Sequence, residues 1–326
     1  MNMTWARIGV ASVLAAGSAC SGSSNHGSDS GNFNDSGAPD AGNGYIDAGL
    51  VSFVDCPMGT VSAGAVSVAR ISSGLVALVG LSDGGSIVSR YQGQGCALTR
   101  DPAYQPSTGA LVFAGTQLVA DARDHVYLPA SGQLTAELDA DGGTVQLYTL
   151  GSTQLAVTGD GLTLYTSFVG DPARSTRATT AAGFALDHTF TSTIPFVGGL
   201  GLAAAGALAG GTLNSGGSGP FQIYALNTIG GVSATYGNSN PTAPDGFCNV
   251  GDVKPCGADG GFCALDYNCW KFAQFTAAGA YRTGFTFPDA RQPLSLTSAG
   301  PGQMYLLHSV PGDPGSAQLG IIFGVE

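Results

Sequence analysis

The chain has 326 residues, 44% of them hydrophobic and only 10% charged, with a net charge of −11. It holds 11 cationic residues against 22 acidic ones, and no Lys/Arg cluster is present to displace counterions from nucleic acid or to dock on anionic lipid. Lysine occurs only at Lys254 and Lys271 and glutamate only at Glu137 and Glu326, so aspartate with 52 glycines sets the tone, which is turn chemistry rather than helix chemistry.

Residues 1–7 carry one positive charge, residues 8–16 form the apolar run IGVASVLAA, and the small residues Gly17, Ser18 and Ala19 follow. This is the three-part layout of an export signal, and the apolar run is too short to span a bilayer. At Cys20 the pattern resembles the bacterial lipoproteins, whose cysteine after small residues is lipidated and becomes the mature N-terminus. Ser18 and Ala19 fit that family's lipobox, while Gly17 stands where the family prefers leucine. Gly17-Ser18-Ala19 also satisfies a small-x-small rule for ordinary signal peptidase. The resemblance implies a signal peptide over 1–19, lipidation at Cys20 and a lipid bilayer as partner. Ser21 in place of an aspartate implies the outer membrane, with a periplasmic or secreted protein as the alternative.

Residues 20–50 repeat Asp-Ser-Gly or Asp-Ala-Gly and bury too little apolar surface to fold. They read as a tether with a reach of ~30 Å. The aspartates lack the twelve-residue loop and closing glutamate of a calcium site.

From Val51 to Glu326 one shape recurs: an apolar alternation, a turn residue and a second apolar alternation. It begins at Val68, Leu118, Leu155, Leu200 and Leu294, and the sixth residue on is Gly74, Asp124, Gly161, Gly206 and Gly300. These are hairpin signals. The gap from Leu200 to Leu294 has room for one hidden copy. A second hairpin follows several copies, as in FQIYALNTIGGVSATYG and WKFAQFTAAGAYRTGF. Four strands in about 45 residues are the footprint of a β-propeller blade, and residues 51–326 hold about six. The segment LAVTGDGLTLY resembles six-bladed propellers of the NHL/YWTD type. The expected fold is therefore all-β, a propeller of six four-stranded blades, with a β-sandwich or β-solenoid of similar hairpins as the alternative.

Setting Cys20 aside leaves Cys56, Cys96, Cys248, Cys256, Cys263 and Cys269. An even number in an exported chain reads as disulfides. Cys56 pairs naturally with Cys96; the connectivity of the other four, in a Cys-rich insertion at about 245–270, stays open. No C-x-x-C spacing or neighbouring histidine suggests zinc.

Two motifs look chemical and are better read as strands. Gly80-Leu81-Ser82-Asp83-Gly84 matches a nucleophile elbow, but Asp-Gly lies between two alternating runs. Gly199-Leu200-Gly201-Leu202-Ala203-Ala204 matches a dinucleotide fingerprint without the helix and acid that it requires. No cofactor is implied. Because propeller loops meet at one end of the ring, Asp121, Asp124, His125, Asp160 and Asp187 form the expected central site, although aspartate in a turn commonly serves the turn alone. The functional expectation is a lipid-anchored binding or scaffold module with an unknown protein or glycan ligand. The alternatives are a propeller-type hydrolase or lyase with an axial metal, and a structural surface protein without ligand.

Overall fold

The computed structural model describes residues 45–47, 50–80, 86–106, 117–130, 133–167, 172–192, 194, 197–203, 206–211, 221–287, 289 and 291–326. Cys20, His26 and Ser82 lie outside the described residues. No described segment is helical.

Two strands open the chain, β1 (Tyr45–Asp47) and β2 (Ser52–Asp55). β1, which lies inside the stretch expected as tether, pairs with β2 at the start of the expected propeller domain. Five four-stranded antiparallel sheets follow. Blade 1 holds β3 (Ala65–Ile71), β4 (Gly74–Gly80), β5 (Ser86–Gln94) and β6 (Ala97–Arg100). Blade 2 holds β7 (Val119–Ala120), β8 (Val126–Ala130), β9 (Leu134–Leu138) and β10 (Thr144–Tyr148). Blade 3 holds β11 (Gln154–Val157), β12 (Thr163–Ser167), β13 (Ala173–Thr176) and β14 (Ala185–Leu186). Blade 4 holds β15 (Val197–Ala203), β16 (Gly206–Gly211), β17 (Ile223–Leu226) and β18 (Val232–Tyr236). Blade 5 holds β19 (Val250–Pro255), β20 (Phe262–Asp266), β21 (Lys271–Phe275) and β22 (Tyr281–Thr286). Blade 6 combines β23 (Pro293–Gly300), β24 (Gln303–Val310) and β25 (Asp313–Phe323) with β2, which pairs along β25 with Phe53 opposite Ile322. The protein is thus a six-bladed β-propeller, with the N-terminal strand completing the last blade and joining the ends of the ring.

The middle strands, such as β4, β8, β20 and β21, are buried along nearly their whole length, so both faces of these sheets pack on a neighbour and an apolar cluster lies at each blade interface among the described residues. Blades 5 and 6 meet through Phe272, Phe285 and Phe287 against Phe53, Leu296 and Leu306. Between blades 2 and 3 the cluster is short, and buried charge fills the remaining space.

Closure is reinforced by polar groups. Asp55, at the end of β2, accepts from Arg291 Nη1 at 2.6 Å and faces His308 Nε2 at 2.8 Å. Burial would raise its carboxyl, but these two partners hold it below the ordinary range. Cys56–Cys96 ties the residue after β2 to the β5–β6 turn of blade 1. The connectivity left open by the sequence is Cys248–Cys269 and Cys256–Cys263. The stretch expected as an insertion contains β19 and β20, the hidden repeat itself, with Cys256–Cys263 closing its turn.

The glycines of the dinucleotide-like motif serve packing. A Cβ on Gly201 would lie 2.2 Å from the Val253 carbonyl oxygen, and one on Gly199 would lie 2.9 Å from Asp252 Cα. Their absence lets β15 approach the backbone of β19, so the motif is one wall of a blade interface.

Candidate functional site: a polar ring and a cavity on the propeller axis

The inner strand of each blade presents one residue in the same place, immediately before its buried anchor. In ring order these are Ser67, Gln117, Gln154, Gly199, Asp252 and Ser295. In four blades its side chain reaches forward to the anchor amide of the next blade. Leu118 N donates to Ser67 Oγ at 2.8 Å, Leu155 N to Gln117 Oε1 at 2.7 Å, Leu296 N to Asp252 Oδ2 at 2.8 Å and Val68 N to Ser295 Oγ at 3.2 Å. Inner strands in a propeller do not pair with one another, so these side chains satisfy amides that would otherwise be buried without partners.

Gln117 also spans the axis. Its Nε2 donates to Asp252 Oδ1 at 3.0 Å, and blades 2 and 5 face each other across the ring. Gln117 is 4% exposed and Asp252 1%, so the pair closes the channel at this level. Toward the C-terminal ends of the inner strands lies a cavity of about 270 Å³.

Its wall is split in two. Blades 2, 3 and 4 line it with apolar residues: Ala120, Val157 and Leu202 keep some exposure, while Leu118, Leu155 and Leu200 are fully buried in the blade interfaces. Blades 5, 6 and 1 contribute Lys254, Thr297, Ser298 and Arg70. Lys254 Nζ is 2.9 Å from Asp252 Oδ1, an ion pair lying off the hydrogen-bonding directions. Arg70 Nη1 is shielded from solvent without a hydrogen-bond partner among the described residues, and Lys254 Nζ, equally shielded, has only Asp252. A buried donor without an acceptor is costly unless a ligand supplies one. One of the two lysines in the chain thus stands beside the axis. The other, Lys271, donates to the carbonyls of Pro241, Ala243 and Gly246 and fastens a loop.

The aspartates and histidine expected at a central site do not line this cavity. Asp124, in the left-handed region at φ 65°, accepts from Ser72 N at 2.7 Å and ties the first turns of blades 1 and 2. Asp160 accepts from Thr158 Oγ1 and Leu162 N within its own turn. Asp187 pairs with Arg174 at 2.6 Å at the outer edge of blade 3. Asp121 and His125 do come together, in the charged interface of blades 2 and 3. There Asp121 accepts from Tyr127 Oη at 3.0 Å, and His125 Nδ1 is 2.6 Å from Glu137 Oε1.

The centre of that interface is Glu137, fully buried and joined to Arg177 Nη1 at 3.0 Å, Tyr127 Oη at 3.1 Å and Tyr148 Oη. Burial pushes its carboxyl up, but hydrogen bonds from Arg177, His125 and Tyr148 outweigh this and hold it at about 2. Arg177 lies 4.5 Å above the Phe184 ring and donates to the Gly161 carbonyl. Every partner comes from blades 2 and 3, and the cluster acts as a clamp between them.

Sequence reasoning missed Gln117, Asp252, Lys254, Arg70, Glu137 and Arg177. The first two were detectable once the repeats were aligned on their anchors, because the position before the anchor is polar in five of the six blades.

No protein-family model matches the chain, and no match is found among curated proteins. Solved structures resemble the fold. A structural-genomics protein of unknown function from Bacteroides thetaiotaomicron is 15% identical with a TM-score of 0.56, over 83% of this chain and 72% of that one. A catalytically inactive virginiamycin B lyase from Staphylococcus aureus, with quinupristin, is 11% identical with a TM-score of 0.52, over 84% of this chain and 99% of that one. Likeness at this level concerns the propeller architecture alone.

Proposed function

We propose that the protein is an exported, lipid-anchored propeller that binds a small ligand in its axial cavity. The observation that carries this reading is the cavity itself, closed beneath by Gln117 and Asp252 and walled apolar on one side and polar on the other. Binding pockets commonly combine an apolar lining with a few convergent polar groups. The signal-like N-terminus, Cys20 and the tether support a place on the envelope, at the outer membrane by the lipoprotein resemblance.

A lyase has a similar fold, but among the described residues the cavity wall offers no constellation of acids or histidines for an axial metal. The carboxylate beneath it, Asp252, is committed to Gln117, Lys254 and the Leu296 amide. Binding is therefore the better-supported reading.

Two experiments test it. Membrane fractionation with a fatty-acid label should find the wild type labelled and membrane-bound and the C20S variant soluble; unlabelled wild type refutes the anchor. Calorimetric titration with hexanoate, 1-hexanol and hexylamine should show saturable binding of at least one. Ala120→Trp, which fills the mouth, should abolish it. No binding, or binding unchanged in A120W, refutes the axial site.

A further inference from the structure

We infer that the ligand of the axial cavity is a small organic monoanion, a carboxylate or its equivalent on an apolar body, oriented with its head toward blades 5, 6 and 1. This rests on the reading of the cavity as the ligand site and adds the chemical class that the site would take.

Three observations on the cavity wall carry it. The first is charge. The chain as a whole is strongly acidic, yet the charged side chains on the wall are the cations Lys254 and Arg70. Asp252 beneath them neutralises one, which leaves a single positive charge to be matched. The second is hydrogen bonding. Lys254 Nζ and Arg70 Nη1 are donors only; Lys254 Nζ has just the ion pair with Asp252 Oδ1 at 2.9 Å, and Arg70 Nη1 has no hydrogen-bond acceptor among the described residues. An anionic oxygen at the mouth would meet that need, whereas an ammonium would place a third cation beside them. The third is the division of the wall. The donors and the hydroxyls of Thr297 and Ser298 occupy one contiguous half of the ring, and the opposite half is Leu, Val and Ala. A uniformly charged anion such as phosphate would waste the apolar half, and a pure hydrocarbon would leave the donors unmet.

The floor fixes the partner of that lysine. Asp252 is fixed by Gln117 from across the axis and by the Leu296 amide from the next blade, so its carboxylate cannot swing away from Lys254. Asp252 and Gln117 are therefore positioning residues, and Lys254 is the group expected to touch the ligand.

The test uses three probes with one tail and different heads: hexanoate, 1-hexanol and hexylamine, titrated calorimetrically into the mature protein. Hexanoate is expected to bind, with 1-hexanol and hexylamine weaker by about tenfold or more. Lys254→Met should remove that preference, bringing hexanoate to the level of hexanol. Because K254M also leaves Asp252 without its counter-ion, the double variant D252N/K254M, which retains an acceptor for Leu296 N, is measured beside it; it should bind hexanoate more weakly than the wild type but, through the uncompensated Arg70, keep part of the preference over hexanol. Equal binding of hexanoate and hexanol by the wild type, or tighter binding of hexylamine, overturns the anion assignment and leaves the axial site standing. Binding of hexanoate that survives both variants undiminished overturns the role of Lys254. Failure of all three probes to bind overturns both the assignment and the axial site.

Discussion

Replacing Glu137 by glutamine isolates one charge at the interface of blades 2 and 3. The amide keeps the shape and can still accept a hydrogen bond, but Arg177 is left without its counter-ion in a site where Glu137 has no solvent exposure. Removing one partner of a buried pair typically costs roughly 3–5 kcal/mol. The ionisation of Glu137 supplies a second measure. Its native carboxyl lies at about 2 against an ordinary 4.5, a linkage contribution on the order of 3 kcal/mol. Because the native value is depressed, this stabilisation is complete above about pH 5 and is lost as pH falls through the native value near 2. E137Q should therefore lower the urea unfolding free energy at pH 7 by on the order of 3 kcal/mol and the melting temperature by roughly 6–12 °C. The gap between wild type and variant should stay level from pH 7 to about pH 5 and narrow steadily below it. A variant as stable as wild type at neutral pH, or a gap of unchanged size at about pH 3, would refute the account of Glu137 as an ionised clamp.

Other parts of the ring make separate predictions. Phe53 is buried against Phe285, Phe287 and His308, so Phe53→Ala should cost about 3–5 kcal/mol in thermal or urea unfolding, and a loss below about 1 kcal/mol would mean that β2 does not close the ring. Gly201→Ala drives a methyl to within 2.2 Å of the Val253 carbonyl, whereas at Gly80 the nearest atom would be an ordinary 3.8 Å away. G201A should therefore melt well below G80A, and equal melting would contradict the close approach of blades 4 and 5. Thiol titration of the mature domain, denatured without reductant, should find none of Cys56, Cys96, Cys248, Cys256, Cys263 or Cys269 free, and peptide mapping should recover the three pairs.

The hairpins at Val68, Leu118, Leu155 and Leu200 were legible because their inner strands alternate without interruption and then meet a turn residue. The turn signal has a backbone cause: Asp124, Gly161 and Gly302, each six residues after an anchor, have φ of 65°, 67° and 67°. In blade 6 the anchor is Leu296, not Leu294, as its amide bond to Asp252 shows. A slip of two residues keeps every side chain on the same face, so alternation alone cannot detect it. Blade 5 was hidden for a different reason. Its inner strand reads VGDVKP, and Asp252, Lys254 and Pro255 break the apolar pattern by which strands are recognised. The residues that build the axial site are thus the ones that concealed its strand. The closing strand was illegible because β2 meets its partners from the opposite end of the chain. The expected site of turn aspartates went wrong because those side chains cap their own turns or bind a neighbouring one, which composition does not distinguish from convergence on the axis.

The account's central claim is that the cavity on the propeller axis holds a ligand. A crystal structure of the domain soaked with hexanoate tests it most directly. The account predicts density on the axis above Gln117 and Asp252, with the carboxylate in hydrogen-bond reach of Lys254 and the alkyl chain against Ala120, Val157 and Leu202. An empty axial cavity, or hexanoate bound only elsewhere on the ring, would contradict it.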